Sequence, residues 1–508
     1  MAPMSKAPEH LSQQELESYL WGAANLLRGL IDAGDYKQYV FPLLFFKRLS
    51  DVWDAEYHNA LAETGDEVYA RSTADDRFNI PDGAHWSDVR NASRDVGRAL
   101  LNAFRAIEAA NPERLASVFG NASWTDKAQM PDETLKNLIE HLSRHPLSLA
   151  AVPEDELGNA YEYLIKQFAD DSGHTAQEFY TNRTLVHLMT QMLEPQAGER
   201  IYDPTVGTGG MLISALAEVK RRGDDARTLG LYGQELIHTT ASIARMNLVL
   251  HGVEDFRIAT GNTLSEPAFI ERDRLMTFNV VLANPPYSIK KWNREAWQTD
   301  PWGRNFLGAP PQGRADYAFF QHILRSLDPE TGRCAVLFPH GVLFRNEEAA
   351  MRHKLIELDL LECVLGLGPN LFYNSPMEAC VVVCRTQKPP ERQGRILFID
   401  AVHEVARDRA QSFLKPEHQE RILKAYQAFD DQPGFAAVAT IDEVLAKDGN
   451  LSIPRYVRPV VEASGSNPHG DVKTLWSGLE ASGREFWQQM DAVVDMLDGM
   501  LTAEANHG

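Results

Sequence analysis

Between residues 151 and 405, short apolar runs alternate with helical segments, and few architectures accommodate that alternation. Strand candidates end near Asp203, Glu235, Asn262 and Asn284, with further ones at Cys334–Pro339, Cys363–Leu367, Ala379–Arg385 and Ile396–Asp400. Strands that are apolar throughout are buried on both faces, and the intervening helices supply the cover. The pattern predicts an α/β, Rossmann-like, mainly parallel sheet over 151–405. Residues 1–150 read as a helical domain. Ser12-Gln13-Gln14-Glu15 is a capping-box pattern before a long periodic segment, and Gly83, Pro112, Gly120, Pro131 and Pro146 punctuate the helices that follow. From 406 to 508 the chain reads as helical again. Trp487, Met490, Val494, Leu497 and Leu501 share one face of its last helix, a stripe for internal packing or for docking on another chain.

In open α/β sheets, ligands bind at the carboxyl ends of the strands. The buried run Val280-Val281-Leu282-Ala283 ends at Asn284-Pro285-Pro286-Tyr287, where two prolines force a rigid, extended loop. That loop offers the Asn284 side-chain carbonyl, the Pro285 backbone carbonyl and the Tyr287 ring to one planar group. Two acceptors and a stacking face suit a conjugated amine such as that of adenine. Its lone pair is delocalised into the ring, and accepting hydrogen bonds from both hydrogens favours a pyramidal, nucleophilic nitrogen. The plainer alternative is a motif that only terminates a strand.

Upstream, Ile201-Tyr202 leads into Asp203-Pro204-Thr205-Val206-Gly207-Thr208-Gly209-Gly210 and then a helix over 211–220. Glycines let backbone approach a ligand closely. No Lys-Ser/Thr pair follows, which disfavours a phosphate loop, and the third glycine is displaced from a dinucleotide fingerprint. The next strand candidate ends at Gln234-Glu235, an acid placed for ribose hydroxyls. A nucleoside-bearing cofactor without a pyrophosphate fits, and S-adenosylmethionine is the obvious one. The alternative is a turn that merely packs a helix on a sheet. Before both motifs lies Glu178-Phe179-Tyr180-Thr181-Asn182-Arg183, whose rings would attract a sulfonium or else pack at a helix start.

Composition limits the partners. A chain of 508 residues holds two or three domains, and 44% hydrophobic residues is ordinary for a soluble globular protein. No stretch approaches a membrane span, and Met1 to His10 lacks a signal-peptide core. Cys334, Cys363, Cys380 and Cys384 are too few and too poorly spaced for a disulfide scaffold or zinc ribbon, so buried thiols are expected and no metal site. None follows a proline as the C5-cytosine methyltransferases' nucleophile does, which leaves direct transfer to nitrogen. Fifty basic against seventy-one acidic residues give a net charge of −21, which opposes binding a polyanion through the general surface. One exception is local. Lys290, Lys291, Arg294, Arg304 and Arg314 lie among Trp292, Trp297, Trp302 and Phe306, a loop suited either to DNA phosphates and an extruded base or to aromatics buried beneath a solvated surface.

Taken in order, Glu-Phe-Tyr-Thr, Asp-Pro-x-x-Gly-x-Gly-Gly and Asn-Pro-Pro-Tyr resemble the amino-methylating DNA methyltransferases, and most closely the modification subunit of type I restriction-modification systems. Tyr39 to Trp53 resembles that family's N-terminal helical domain, and Leu451-Ser452-Ile453-Pro454-Arg455-Tyr456-Val457 a segment near its C-terminal end. The resemblance implies cofactor contacts at Glu178, Phe179, Tyr180, Thr181, Asn182, Arg183, Asp203, Gly207, Thr208, Gly209, Gly210 and Glu235. It implies target-base contacts at Asn284, Pro285, Pro286 and Tyr287. Asn262 stands where the family usually has an acid, and still offers an acceptor to the cofactor adenine. Asn182 stands where the family often has proline.

The resemblance further implies N6 methylation of adenine in double-stranded DNA, the base being flipped out at a cost of a few kcal/mol. It implies a DNA-specificity subunit, a restriction (translocase and nuclease) subunit, two copies per complex, and a cytoplasmic location. The domains expected are 1–150, 151–405 for methyl transfer, and 406–508 for subunit contacts. Rival readings are a solitary DNA methyltransferase, a protein glutamine methyltransferase, which also uses Asn-Pro-Pro-Tyr, and a non-catalytic assembly protein.

Overall fold

The computed structural model describes residues 11–171, 181–371, 378–408 and 411–459. The apolar runs form a nine-stranded sheet. Its strands are β1 (Arg200–Asp203), β2 (Gly230–Glu235), β3 (Phe256–Thr260), β4 (Val280–Ala283), β5 (Arg333–Pro339), β6 (Leu361–Leu367), β7 (Ala379–Arg385), β8 (Arg395–Ala401) and β9 (Ala436–Thr440). Their order is β3-β2-β1-β4-β5-β7-β6-β8-β9. From β3 to β5 all neighbours are parallel. Only β7, antiparallel to β5 and β6, and β9, antiparallel to β8, run the other way.

The helices of nine residues or more are α1 (Gln13–Asn25), α2 (Lys37–Thr64), α3 (Glu67–Asp75), α4 (Val96–Ala110), α5 (Asp132–Leu142), α6 (Glu154–Asp171), α7 (Arg183–Leu193), α8 (Gly210–Arg221), α9 (His238–Leu250), α10 (Asp316–Arg325), α11 (Ala349–Glu357) and α12 (Pro416–Ala428). The capping box at the start of α1 forms as expected, with Ser12 Oγ accepting from the Glu15 amide and Glu15 returning the bond to the Ser12 amide. One face of the sheet packs on α7, α8, α9 and α12, the other on α10 and α11. All four cysteines are buried on these strands.

A separate aromatic core unites α1 to α6, with Phe41, Phe45, Phe46, Trp86, Phe104, Phe119 and Trp124 at its centre. Ile243, Met246 and Leu250 of α9 belong to that same core, so one helix serves both the sheet and the helical layer. No helix among the described residues is long and apolar enough to cross a membrane.

The segment after 405 is less uniformly helical than its sequence predicts. Besides α12 it supplies β9 and an antiparallel pair, Ala406–Asp408 with Gln411–Phe413. Ala436-Ala437-Val438-Ala439-Thr440 has little strand propensity of its own, and pairing with β8 holds it extended. The stripe from Trp487 to Leu501 lies outside the described residues. Leu451–Val457 packs beneath the sheet, where Tyr456 stacks on Phe398 of β8 with ring centres 3.8 Å apart. Ile453 fills the space a side chain at Gly366 of β6 would take.

Phe46 is fully buried against the rings of Trp86, Phe104 and Phe119. Phe46→Ala is expected to destabilise the protein by about 3–5 kcal/mol, transfer and cavity terms together, as read by urea unfolding.

Candidate active site

The order of strands reverses between β1 and β4, which is where an open α/β sheet offers a crevice. These strands pair in parallel, Ile201 with Val280 and Tyr202 with Val281, and end almost level. The loops that follow open onto one cavity of about 610 Å³, whose lining includes Thr181, Arg183, Asp203, Gly207, Thr208, Gly210 and Asn284. The glycine turn and the Asn-Pro-Pro-Tyr loop therefore share a single space.

The turn is fixed from several sides. The Val206 amide donates to Gln234 O at 3.0 Å, and the Gly207 amide to Glu235 Oε2 at 3.0 Å. Thr263 Oγ1 donates to Pro204 O at 2.6 Å, and Asn247 Nδ2 to Thr208 O at 2.9 Å. Gly209, at φ 86°, turns the backbone into α8 in a conformation that other residues adopt at a cost. Gly233 of β2 leaves room for Val206, since a Cβ there would lie 2.8 Å from the valine side chain.

Asp203 closes β1, is buried, and faces the cavity while its Oδ1 accepts from the Thr205 amide at 3.0 Å. Burial, with the negative charge of Glu235 nearby, pushes its pKa up to about 7. A cationic ligand would draw it back toward the ionised form.

Across the cavity, Asn284 Nδ2 donates to Thr181 Oγ1 at 3.0 Å, and the Tyr287 hydroxyl donates to Asn284 Oδ1 at 2.9 Å. Both partners are hydroxyls, so the two bonds hold the plane of the amide, and Oδ1 keeps a second lone pair. The tyrosine thus anchors the amide as well as offering a ring. Pro285 is buried and Pro286 half-buried, and the cavity lining includes neither of them nor Tyr287. The loop is pinned further on, where the Ser288 amide donates to Asp316 Oδ1 at 2.8 Å and Arg345 holds the other Asp316 oxygen at 2.9 Å.

Several expected site residues sit elsewhere. Asn182 caps α7, accepting from the Thr184 amide at 3.0 Å and donating to Ser412 O at 2.9 Å, so its amide is structural. Glu235 adjoins the turn without lining the cavity, and Oε1 accepts from the Ile237 amide at 2.9 Å. Asn262 is exposed, with Oδ1 accepting from the Leu264 amide at 2.9 Å. Glu178, Phe179 and Tyr180 lie outside the described residues.

The basic-aromatic loop divides. Arg304 is 1% exposed, its guanidinium bound to Asp300 Oδ1 at 2.6 Å and to the carbonyls of Thr263 and Leu264, between the rings of Trp297 and Trp302. It is a core cation and is withdrawn from the nucleic-acid candidates. Arg294 Nε donates to Pro310 O at 2.7 Å, and Arg314 pairs with Glu347 at 2.7 Å on the surface. Lys290 and Lys291 are exposed.

Sequence reasoning missed the wall contributed by α6, whose Asp155, Asn159, Glu162 and Ile165 line the cavity together with His251. A signal existed. Glu162 interrupts the apolar run Ala160-Tyr161-Glu162-Tyr163-Leu164-Ile165 and is itself buried. Burial pushes His251 down to about 4.

Comparisons with known proteins point to one family. The model of the family N-6 DNA Methylase matches residues 152–464, and that of the HsdM N-terminal domain residues 16–142. The chain is 32% identical to the HindI type I restriction enzyme methylase subunit of Haemophilus influenzae, over 71% of this chain and 83% of that one. It is 29% identical to the MjaIX methylase subunit of Methanocaldococcus jannaschii, over 89% and 85%. Among solved structures, a type I restriction-modification methyltransferase subunit from Streptococcus thermophilus superposes with a TM-score of 0.77 at 31% identity, covering 88% of this chain and all of that one.

The raised pKa of Asp203 has a defined consequence for stability. Between about pH 4 and about pH 7 the folded chain keeps a proton that the unfolded chain releases, so stability falls as pH rises through that window. Glu348, pushed up to about 7 by burial, contributes in the same direction. Asp203→Asn is expected to reduce this contribution to the slope by one proton's worth, as read by urea unfolding of both proteins at a series of pH values. A slope unchanged by the substitution would contradict the assignment.

Proposed function

The chain belongs to the N-6 DNA methylase family, and from that premise we propose how its residues divide the work of a type I restriction-modification methylase subunit. The reaction is methyl transfer from S-adenosylmethionine to the N6 amine of adenine in DNA. The observation that carries the assignment of residues is the shared cavity: the glycine turn and Asn284 open onto the same space.

The residues present suit the cofactor. The volume is that of a small-molecule pocket. Gly207 and Gly210 permit close backbone approach, and buried Asp203 offers an acceptor to a cationic ligand. Thr181, Arg183, Asp203, Gly207, Thr208 and Gly210 would hold its amino-acid part, with Gly209 shaping the turn. By resemblance, Glu235 would take the ribose and Asn262 the adenine edge. Glu178, Phe179 and Tyr180 complete the set by resemblance. Bound there, the cofactor supplies a methyl group on positively charged sulfur.

The chain's own contribution is positioning. Asn284 Oδ1, oriented by Tyr287 and Thr181, accepts from one hydrogen of the target amine, and the Pro285 carbonyl accepts from the other. Both bonds favour a localised lone pair aimed at the donor. No general base is needed beforehand, because the methylated amine is acidic and loses its proton afterwards. Orientation accounts for most of the acceleration.

The same reading gives the chain its setting. Residues 1–150 form an N-terminal helical domain, 151–405 the methyltransferase domain, and 406–508 a region for subunit contacts. Duplex DNA is presented by a specificity subunit, with two methylase copies per complex, a restriction subunit alongside, and a cytoplasmic location. Lys290, Lys291, Arg294 and Arg314 remain for phosphates.

The test is incorporation of labelled methyl groups into DNA, against protein acceptors, with and without the neighbouring subunits. Asn284→Ala is expected to lower transfer at least a hundredfold while cofactor affinity, measured by calorimetry, changes less than threefold. Loss of both together would refute the division of labour between the two loops.

A further inference from the structure

Glu162 is an unexpected occupant of the cavity wall. It is 6% exposed, it lines the same space as Asp203 and Asn284, and it comes from α6, ahead of every motif that suggested a site. Its Oε2 accepts no hydrogen bond of ordinary geometry from any described residue. Two groups approach that oxygen: the guanidinium of Arg183, which forms an ion pair with it, and His251 Nε2, 3.7 Å away. His251 Nδ1 lies 2.9 Å from Asn247 O and can only donate to it, so in the neutral ring Nε2 carries a lone pair. Burial keeps that ring neutral.

Arg183 thus covers the Glu162 oxygen, and the His251 lone pair lies 3.7 Å from that same oxygen. A group with several N–H donors satisfies both at once, whereas a hydroxyl or a lone amide satisfies only one. An ammonium is the smallest such group. The close approach of α6 is built into the chain. At Gly158, one turn before Glu162, a Cβ would fall 2.6 Å from the His251 ring. Glycine inside a helix costs about 1 kcal/mol against alanine, and here it admits the imidazole.

We infer that Glu162 and His251 receive the α-ammonium of the cofactor's amino-acid part, while Arg183, released from Glu162, takes its carboxylate. This rests on the S-adenosyl reading given above. The exchange conserves charge: one internal ion pair is replaced by two pairs with a zwitterion, and nothing buried is left uncompensated. Glu162 is a positioning residue in this scheme, setting where the donor sits along the cavity.

Calorimetry on the full-length protein without DNA, with four probes, tests the idea. These are S-adenosylhomocysteine, its analogue lacking the amino group (adenosyl-thiobutanoate), its analogue lacking the carboxylate (adenosyl-thiopropylamine), and methylthioadenosine, which lacks both. In the unaltered protein, removing the amino group is expected to weaken binding about tenfold or more. Glu162→Gln is expected to weaken S-adenosylhomocysteine by a similar factor and to leave adenosyl-thiobutanoate and methylthioadenosine within about twofold. Arg183→Gln should discriminate instead against the carboxylate-bearing probes. Equal binding of S-adenosylhomocysteine and adenosyl-thiobutanoate by the unaltered protein overturns the inference, and needs no variant to fold. So does a Glu162→Gln protein that weakens all four probes alike. Failure of the unaltered protein to bind any of the four would strike the S-adenosyl reading itself.

Discussion

The pairing of β1 with β4 is the constraint on which the rest of the site depends. Adjacent parallel strands lie about 4.8 Å apart, so loops leaving two such strands at the same level start close together. β4 is buried along its whole length, and β1 beyond Arg200 likewise. The sheet continues from β1 through β2 to β3 on one side and from β4 to β5 on the other. The connections after β1 and β4 therefore depart in opposite directions, and the space between them is left for a ligand. The glycine turn and the Asn284 loop need no special arrangement to meet once that topology exists. What remains is to hold each loop still, and side chains from elsewhere in the chain do so: Thr263 and Asn247 for the turn, Thr181 and Asp316 for the Asn284 loop.

Much of this was legible because the informative residues act locally. The apolar runs from Val280 to Ala283 and from Ala379 to Arg385 appear where expected, since strands buried on both faces carry no polar alternation. Direction is another matter. Nothing in Ala379-Cys380-Val381-Val382-Val383-Cys384-Arg385 says whether it runs with or against its neighbours, and β7 proves antiparallel. Within the site, Gly209 and the two prolines announce their loops through backbone chemistry. Gly233, Thr263 and Asn247 announce nothing, because their roles exist only against residues tens of positions away. Glu162 falls between these cases: an acid in an apolar helical run was visible, but the cavity it faces was not.

Asn284 and Tyr287 show how a short motif carries more order than its separate residues. An isolated asparagine side chain turns freely about its own bonds. The phenol hydroxyl and Thr181 Oγ1, each bonded to one end of the amide, hold its plane in place. The prolines between them restrict the backbone that carries both groups. Dipoles held in place in this way need little reorganisation when charge shifts beside them.

The fate of Arg304 bears on how a chain of net charge −21 acts on a polyanion. Counted along the sequence, it is one of five cations that follow β4. In space it is the hub of the loop, gripping Asp300 and two carbonyls between tryptophan rings. The aromatics that suggested base stacking are partly consumed by stacking on that guanidinium. Of the others, Arg294 is tied to Pro310 O, while the Arg314–Glu347 pair is solvent-exposed and exchanges readily for a phosphate. Two lysines and one or two arginines release too few counterions to hold a duplex against the repulsion of this surface. Whatever grip on a duplex the protein exerts therefore comes from outside this loop.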